Sequence, residues 1–125
     1  MKKILKFYKK FLLIRLLEEE IIKRYNEGKM RCPTHISIGQ EAIAVAFSEV
    51  ANKDDFVIST HRPHAHYIAK GGNINFLIAE LYGKKTGCSN GKGGSMHLID
   101  LTVNFMGSSS ILGNNIPIGV GLGLS

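Results

Sequence analysis

"DDFVISTHRPHAHYIAKGG", residues 54–72, joins the pattern of a strand directly to the pattern of a helix. The run FVIST is rich in β-branched and aromatic residues, which predicts a short buried strand. Pro63 follows at a position that the first turn of a helix tolerates, so PHAHYIAK is predicted to be helical until Gly71 and Gly72 end it. A strand that leads at once into a helix is typical of α/β proteins.

The segments on either side continue this alternation. GQEAIAVAFSEV, residues 39–50, is rich in alanine and is predicted to form a helix that is buried on most sides. NINFLIAELYG, residues 73–83, is predicted to form a helix with Asn73 as its cap and Gly83 as its stop. SSSILGNNIPIGVGLGLS, residues 108–125, has the pattern of a strand or turn that runs into a helix. We therefore predict an α/β fold without internal repeats.

The amino-terminal residues 1–30 are predicted to contain one amphipathic helix that stops at Gly28. Its apolar residues recur at steps of three and four: Ile4, Phe7, Phe11, Ile14, Leu17, Ile21 and Tyr25. Arg15 interrupts the apolar run and no signal-peptide cleavage site follows it, and no stretch is long enough to span a bilayer. We expect this helix to pack on the chain itself or on a partner subunit, with a membrane-surface helix as the alternative.

Composition and charge narrow the class of protein. With 125 residues and 44% hydrophobic content, the chain is expected to form a globular domain. Much of the net charge of +6 comes from lysines at the amino end, namely Lys2, Lys3, Lys6, Lys9 and Lys10. These lysines are not interleaved with exposed aromatic residues, so nucleic acid is not expected as a partner. A membrane is not expected either, with the membrane-surface helix as the alternative. Cys32 and Cys88 lie far apart in a chain without an export signal, which predicts a reduced, cytoplasmic protein without a structural disulfide.

The residues after the predicted strand indicate a ligand site, because α/β sheets bind ligands at the ends of their strands. Three histidines and one arginine lie there: His61, Arg62, His64 and His66. A guanidinium binds phosphate through two parallel hydrogen bonds, so Arg62 predicts a phosphorylated ligand. One alternative is a metal site, for which no nearby Cys, Asp or Glu completes the ligand set. The other is a salt bridge from Arg62 to Asp54 or Asp55.

The segment GCSNGKGGSMH, residues 87–97, is here called the glycine loop. It lacks the Gly-Lys-Ser/Thr ending of a P-loop, and it does not follow a predicted strand as a dinucleotide fingerprint does. By its spacing alone it is compatible with a flexible surface loop.

Four motifs together carry a resemblance to a known family. They are THISIGQEA, STHRPHAHYIAKGG, AELYGKKTGCSNGKGGSMHLID and SILGNNIPIG, within residues 31–125. In order and spacing they resemble the alpha subunit of thiamine-diphosphate-dependent dehydrogenases, the first component of 2-oxo-acid dehydrogenase complexes, and the related acetoin dehydrogenases. The resemblance implies a doubly wound thiamine-diphosphate-binding fold, a magnesium ion, and an α2β2 assembly with a beta subunit. It also implies transfer of an acyl group from a 2-oxo acid or acetoin-like substrate to the lipoyl group of an acyltransferase component.

The resemblance also assigns roles to individual residues. Arg62 matches the arginine that binds the diphosphate, and His61 stands where many members have a tyrosine that touches the same group. His64 and His35 match active-site histidines and are the predicted catalytic residues. By the same resemblance, backbone groups at Ser110 and Leu112 hold the aminopyrimidine ring, and Gly113 allows the turn there. The glycine loop is similar to a signature loop whose small residues let the backbone pass close to the cofactor and the partner subunit.

One departure from the family limits the prediction. The family's magnesium ligands, an aspartate in a Gly-Asp-Gly motif and a later asparagine, have no counterpart in the sequence. We expect the chain to be the first third of such a subunit, incomplete at the carboxyl end and inactive alone. Residues 1–30 form the amphipathic helix and residues 31–125 the first part of the cofactor-binding domain in this prediction. The alternative is a truncated, catalytically inert remnant or a partner-binding fragment.

Overall fold

The fold is described from a computed structural model that covers residues 2–125. In chain order the elements are α1 (Lys2–Tyr25), α2 (Glu41–Val50), β1 (Val57–Ser59), α3 (His64–Lys70), α4 (Ile74–Leu81), a short 3-10 helix (Leu101–Val103), β2 (Phe105–Ser108) and α5 (Asn115–Leu124). The strand and the helices predicted from the sequence are confirmed. The glycine loop lies between α4 and the 3-10 helix.

The two strands form a parallel pair, which determines where the ends of both strands lie. Val57 pairs with Phe105 and Ser59 pairs with Ser108, with an irregularity after Val57. A parallel pair requires a long crossover, and α3, α4 and the glycine loop provide it. The predicted α/β class is confirmed at this level, as helices with a small parallel sheet.

The buried core draws residues from α1, α2, β1, α3, α4 and β2, and its two largest fully buried side chains are Tyr67 and Phe105. Tyr67 of α3 packs edge-on against Phe105 of β2, with the ring centroids 5.5 Å apart. The Tyr67 hydroxyl donates a hydrogen bond to Asp100 Oδ2 over 2.7 Å. Burial and this hydrogen bond raise the pKa of Tyr67, so the phenol stays protonated. Leu77 and Leu81 of α4 are also fully buried in this cluster.

Helix α1 has the predicted amphipathic character, but its buried face is shorter than the repeat in the sequence. Ile14 and Ile21 are buried, whereas Ile4 is 72% exposed. The first turns of α1 contact α2 through Lys6 and Lys10, which both pair with Glu49. The structure therefore buries one face of the second half of α1, at Ile14, Glu18 and Ile21, and leaves apolar side chains of the first half exposed.

Helix α2 differs from its prediction. It was expected to be buried on most sides, and this expectation is wrong for the described chain. Ala44 and Val45 are buried, but Ile43 and Phe47 are 67% and 41% exposed. The physical reason is that α2 packs against α1 and α3 on one side only.

Helix α5 is apolar and largely exposed. Its exposed apolar residues, together with those just before it, are Ile111, Leu112, Ile116, Ile118, Val120 and Leu124. It is attached to the rest of the described chain through β1. No helix within residues 2–125 combines the length and the apolar character that crossing a membrane requires.

Candidate functional site

The carboxyl ends of β1 and β2 bring two predicted site segments to the same edge of the sheet, here called the strand-end edge. Residues 60–62 follow β1 and residues 109–114 follow β2. The backbone N–H of Ser109 donates to the Ser59 carbonyl over 3.3 Å. The side-chain amide of Asn115 donates to the same carbonyl over 2.6 Å. The chain after β2 is therefore hydrogen-bonded to the last residue of β1, directly before residues 60–62, as expected for the ends of parallel strands.

Arg62 lies half-buried at the strand-end edge. Its Nη1 donates a hydrogen bond to the Ile36 carbonyl, and its backbone N–H donates to Thr60 Oγ1 over 3.3 Å. Within residues 2–125 Arg62 forms no ion pair, and Asp55 instead accepts a hydrogen bond from the Asn52 backbone N–H over 2.7 Å. The salt-bridge alternative for Arg62 is therefore not what the structure contains. The other guanidinium N–H groups remain available for an anion.

His35 and His61 lie side by side near Arg62. Their rings meet edge to face with centroids 5.1 Å apart, and both residues are half-buried. His61 Nδ1 is buried and has no hydrogen-bond partner among the described residues, and the same is true of Asn114 Oδ1. Buried polar atoms are normally paired in folded proteins. Two orphaned atoms on segments that meet at one edge indicate a place for a polar ligand.

His64 is positioned differently from the other two histidines. It is fully buried, with Nδ1 3.2 Å from Glu18 Oε2 and Nε2 3.0 Å from Ser95 Oγ. Both ring nitrogens are thus engaged inside the protein. The catalytic role predicted for His64 is untested by this geometry and stays a prediction.

His66 and its neighbours were the basis of the metal alternative. His66 Nδ1 lies 2.8 Å from Ser59 Oγ, and burial lowers the pKa of the imidazole. Among residues 2–125 no three side chains of the His, Cys, Asp or Glu types are arranged to hold a metal ion.

The predicted aminopyrimidine-binding residues lie in the turn after β2. Ser110 and Leu112 are exposed there, and Gly113 adopts a φ of +86°. Such a φ favours glycine because a side chain would strain the backbone. Ser109 Oγ accepts a hydrogen bond from the Ile111 backbone N–H over 3.2 Å, which tightens the turn. The roles of Ser110, Leu112 and Gly113 toward a cofactor stay predictions.

The glycine loop folds around the carboxylate of Glu80 from α4. This fully buried group accepts hydrogen bonds from four backbone N–H groups of the loop. They belong to Ser89 at 2.8 Å, Gly91 at 2.8 Å, Gly93 at 2.7 Å and Gly94 at 3.1 Å. Sequence reasoning missed this residue. The available signal was a single acidic residue in the apolar run FLIAEL just before a glycine-rich segment.

The same contacts explain two of the loop's glycines. A Cβ at Gly87 would lie 2.6 Å from Glu80 Cα, and one at Gly93 would lie 1.9 Å from the His97 carbonyl oxygen. The loop needs small residues in order to fold against its own chain. The expected close approach to a cofactor and a partner subunit stays a prediction.

A cavity of about 670 Å³ lies between the glycine loop and residues 28–32, away from the orphaned atoms of the strand-end edge. Its charged lining consists of Lys29, Arg31, Lys84, Lys92 and Glu80. The Glu80 carboxylate is engaged by the loop, and no buried side-chain polar atom in the described lining lacks a hydrogen-bond partner, although Arg31, Lys84 and Lys92 form no ion pair within residues 2–125. We assign the candidate site to the strand-end edge rather than to this cavity, because the buried unpaired atoms lie at that edge.

Comparisons with known proteins agree with the four motifs. The family model described as Dehydrogenase E1 component matches residues 9–125. The pyruvate dehydrogenase E1 component subunit alpha of Rickettsia prowazekii (strain Madrid E) is 44% identical over 118 residues, which cover 94% of this chain and 36% of that protein. The protein of the same name from Porphyra purpurea is 39% identical over 119 residues, covering 95% of this chain and 35% of that protein.

A plant relative extends the comparison. The pyruvate dehydrogenase E1 component subunit alpha-3, chloroplastic, of Oryza sativa subsp. japonica is 38% identical over 117 residues, covering 94% of this chain and 28% of that protein. The chain thus spans about a third of the length of the curated relatives it matches. The resemblance carried by the motifs is confirmed: the chain belongs to the Dehydrogenase E1 component family.

Proposed function

We propose that the chain binds the diphosphate of thiamine diphosphate at the strand-end edge, as part of the alpha subunit of a 2-oxo-acid dehydrogenase with a doubly wound fold. One observation carries this proposal: Arg62 forms no ion pair in the described chain and lies near the orphaned His61 Nδ1 at the ends of two parallel strands. This combination suits a multiply charged anion, because the guanidinium supplies charge and several donors.

The residues at the edge fit the different parts of this cofactor. Arg62 would bind diphosphate oxygens, and His61 would complete the same contact through its unpaired nitrogen. The turn at Ser110, Leu112 and Gly113 would hold the aminopyrimidine ring through backbone groups, since the φ of +86° at Gly113 turns the chain there. The buried, unpaired oxygen of Asn114 supports a polar ligand on this side of the edge as well.

The chemistry divides between the cofactor and the chain. When bound, thiamine diphosphate supplies a carbon nucleophile and a ring that takes up electrons when carbon dioxide leaves a 2-oxo acid. The chain contributes binding, orientation and proton transfer. His35 is half-buried beside His61, so its imidazole can hold or move a proton at the open side of the edge. The resemblance gives His64 the same role, but its two engaged ring nitrogens favour a positioning role.

The complete enzyme requires more than this chain. We infer that a beta subunit completes an α2β2 assembly, that the acyl group passes to a lipoyl-bearing acyltransferase component, and that magnesium is held by a later segment of the subunit. The substrate is pyruvate, another small 2-oxo acid or an acetoin-like molecule. The exposed apolar residues of α5, among them Ile116 and Val120, support contact with further protein. A cytoplasmic location is part of the same proposal.

A second candidate is a partner-binding fragment that performs no chemistry. The observation that favours it is the amount of apolar surface exposed on α2 and α5, including Ile43 at 67% and Leu124 at 84%. Such a fragment would bind the same partners but would not need Arg62 to be free of ion pairs. Activity of the assembled enzyme separates the two candidates.

The test continues this chain with the remaining part of the Rickettsia prowazekii alpha subunit and combines it with a beta subunit. Activity is followed as reduction of an artificial electron acceptor that depends on the 2-oxo acid. Arg62→Ala should raise the cofactor concentration for half-maximal activity by about tenfold or more, because a charge-assisted contact is lost. The matched control is Arg24→Ala, which removes an exposed arginine of α1 paired with Glu20. An unchanged cofactor requirement in the Arg62 variant would contradict the proposal, and an inactive assembly would favour the partner-binding fragment.

A further inference from the structure

Three elements meet at a buried polar network that the proposed site does not include. Glu18 comes from α1, His64 from α3 and Ser95 from the glycine loop, and each is at most 1% exposed. Glu18 Oε2 lies 3.2 Å from His64 Nδ1, and Ser95 Oγ lies 3.0 Å from His64 Nε2. Groups this deeply buried are costly to leave unpaired, so their partners determine the arrangement.

The direction of each hydrogen bond follows from the partners. Ser95 Oγ accepts from the His35 backbone N–H over 3.2 Å, and among the described residues His64 Nε2 is the one acceptor within hydrogen-bond distance of the Ser95 hydroxyl, which places its hydrogen on this contact. A neutral imidazole that accepts at Nε2 donates from Nδ1, and the Glu18 carboxylate receives that hydrogen bond. Glu18 Oε1 accepts from the Ser37 backbone N–H over 3.1 Å. The network therefore starts and ends on the same short segment of backbone.

That segment, residues 35–37, also contacts Arg62. The Ile36 carbonyl accepts a hydrogen bond from Arg62 Nη1, and Ser37 Oγ donates to the Arg62 carbonyl over 3.4 Å. The segment is thus fixed at both ends by the buried network, and its middle residue orients the guanidinium. It also carries the half-buried ring of His35.

We propose that Glu18, His64 and Ser95 are positioning residues that hold residues 35–37 and thereby orient Arg62 and His35 at the strand-end edge. This inference rests on the proposed function of that edge. An acid, a histidine and a serine in a row also resemble the triad of a hydrolase. That interpretation does not fit, because Ser95 Oγ already accepts from His35 N–H and is out of reach of a substrate at 1% exposure.

The first arm of the test measures residue-resolved amide hydrogen exchange and histidine ¹⁵N shifts on the full chain by NMR. In the unaltered chain the amides of His35 and Ser37 should exchange slowly, whereas that of Ile36, which has no acceptor in the described chain, should exchange fast. The ¹⁵N shifts should show His64 protonated at Nδ1 and not at Nε2. This pattern requires no variant, so the arm stays decisive even if a variant fails to fold.

Variants then test each bond of the network. Ser95→Ala should speed exchange at the His35 amide by about tenfold or more, and Glu18→Leu, which removes both acceptor oxygens, should do so at Ser37. The matched control is Ser59→Ala, which removes another serine–histidine contact of α3, at 2.8 Å to His66, and should leave both amides unchanged. Equal effects of the control, or fast exchange at both amides in the unaltered chain, would overturn the inference.

The second arm uses the assembled alpha and beta subunits. Ser95→Ala should raise the cofactor concentration for half-maximal activity by roughly fivefold, and Ser95→Thr should restore it because the hydroxyl returns. Changed exchange at His35 with an unchanged cofactor requirement would sink the positioning role. If the unaltered assembly required no thiamine diphosphate, the proposed function would fail, and the exchange arm would still report on the network independently.

Discussion

Cys88 shows how a single residue responds to the environment that the glycine loop creates. Burial and the nearby Glu80 carboxylate raise the pKa of its thiol to about 11. The thiolate is the reactive form, and at pH 8 it is then a fraction of about one in a thousand. The Cys88 thiol is therefore expected to react slowly at physiological pH, although it lies in a loop.

We predict that iodoacetamide modifies Cys88 at pH 8 about a hundredfold more slowly than it modifies an exposed cysteine in a short peptide. The rate should still rise about tenfold per pH unit between about pH 8 and 10, since the thiol has not yet titrated. Mass spectrometry of the modified peptide measures both quantities. A rate that levels off below about pH 9 would show that the thiol is not shielded in this way.

His66 gives the chain a pH dependence that can be measured. Burial lowers its pKa below the unfolded value of 6.5, so below that value the unfolded chain binds a proton that the folded chain resists. The stability that comes from keeping His66 neutral in the folded chain is present in full above the unfolded pKa. It declines as the pH falls below the unfolded pKa. Urea unfolding of the His66→Gln variant should show a shallower loss between about pH 6.5 and 5.5, by up to about 1.4 kcal/mol per pH unit for one proton. The exposed His97→Gln serves as control, and an identical pH profile in both variants would count against burial as the cause.

At the scale of elements, α4 and the glycine loop depend on one carboxylate. Glu80→Gln keeps the size of the side chain but places an NH₂ group where two backbone N–H donors point, whichever way the amide is turned. We predict a loss of about 2 to 4 kcal/mol in the free energy of unfolding, together with faster exchange at one of the two amide pairs, Ser89 and Gly91 or Gly93 and Gly94. Glu49→Gln is the control, because Glu49 bonds Lys6 and Lys10 at the surface and should matter less. Comparable losses in both variants would argue against a special role for Glu80.

The sequence could predict strands and helix caps, but not the buried carboxylates. The strand at Val57–Ser59 and the helix caps at Asn73 and Gly71 follow local rules, and the structure agrees with them. The buried carboxylates of Glu18 and Glu80 follow no local rule, because acidic residues are usually exposed and their partners lie far away in sequence. Glu18 contacts a residue 46 positions later. Such contacts depend on how elements pack, which periodicity does not encode.

For helix α2 the sequence pattern overestimated how many of its side chains are buried. Its alanine-rich pattern is that of a helix covered on several sides, yet Ile43 and Phe47 are exposed. Periodicity reports which residues can be buried, and the surface that covers them need not belong to the described chain. Arg62 and Ser110 follow the two strands, and the parallel pairing brings the strand ends together, while the roles of both residues stay predictions.

At the scale of the whole molecule, the exposed apolar surface of α5 has a consequence for behaviour in solution. Apolar patches of this kind favour association with other proteins or with copies of the same chain. We predict that the chain alone binds a hydrophobic dye and self-associates at micromolar concentration, and that Ile116→Ser with Val120→Ser reduces both effects. Light scattering and dye fluorescence measure them. Asn75→Ser, on the exposed side of α4, is the control, and equal behaviour of all three proteins would locate the association elsewhere.

The contacts of Glu80 have one more consequence for the glycine loop. A cluster of converging backbone N–H groups is the usual cradle for a phosphate or sulfate ion. In this loop the anion is the Glu80 carboxylate, which belongs to the chain itself. It already accepts hydrogen bonds from all four amides. A free anion would have to displace a covalently attached competitor at very high local concentration. These four amides are thus occupied, and under the proposed function the negative charge of an incoming ligand falls to Arg62.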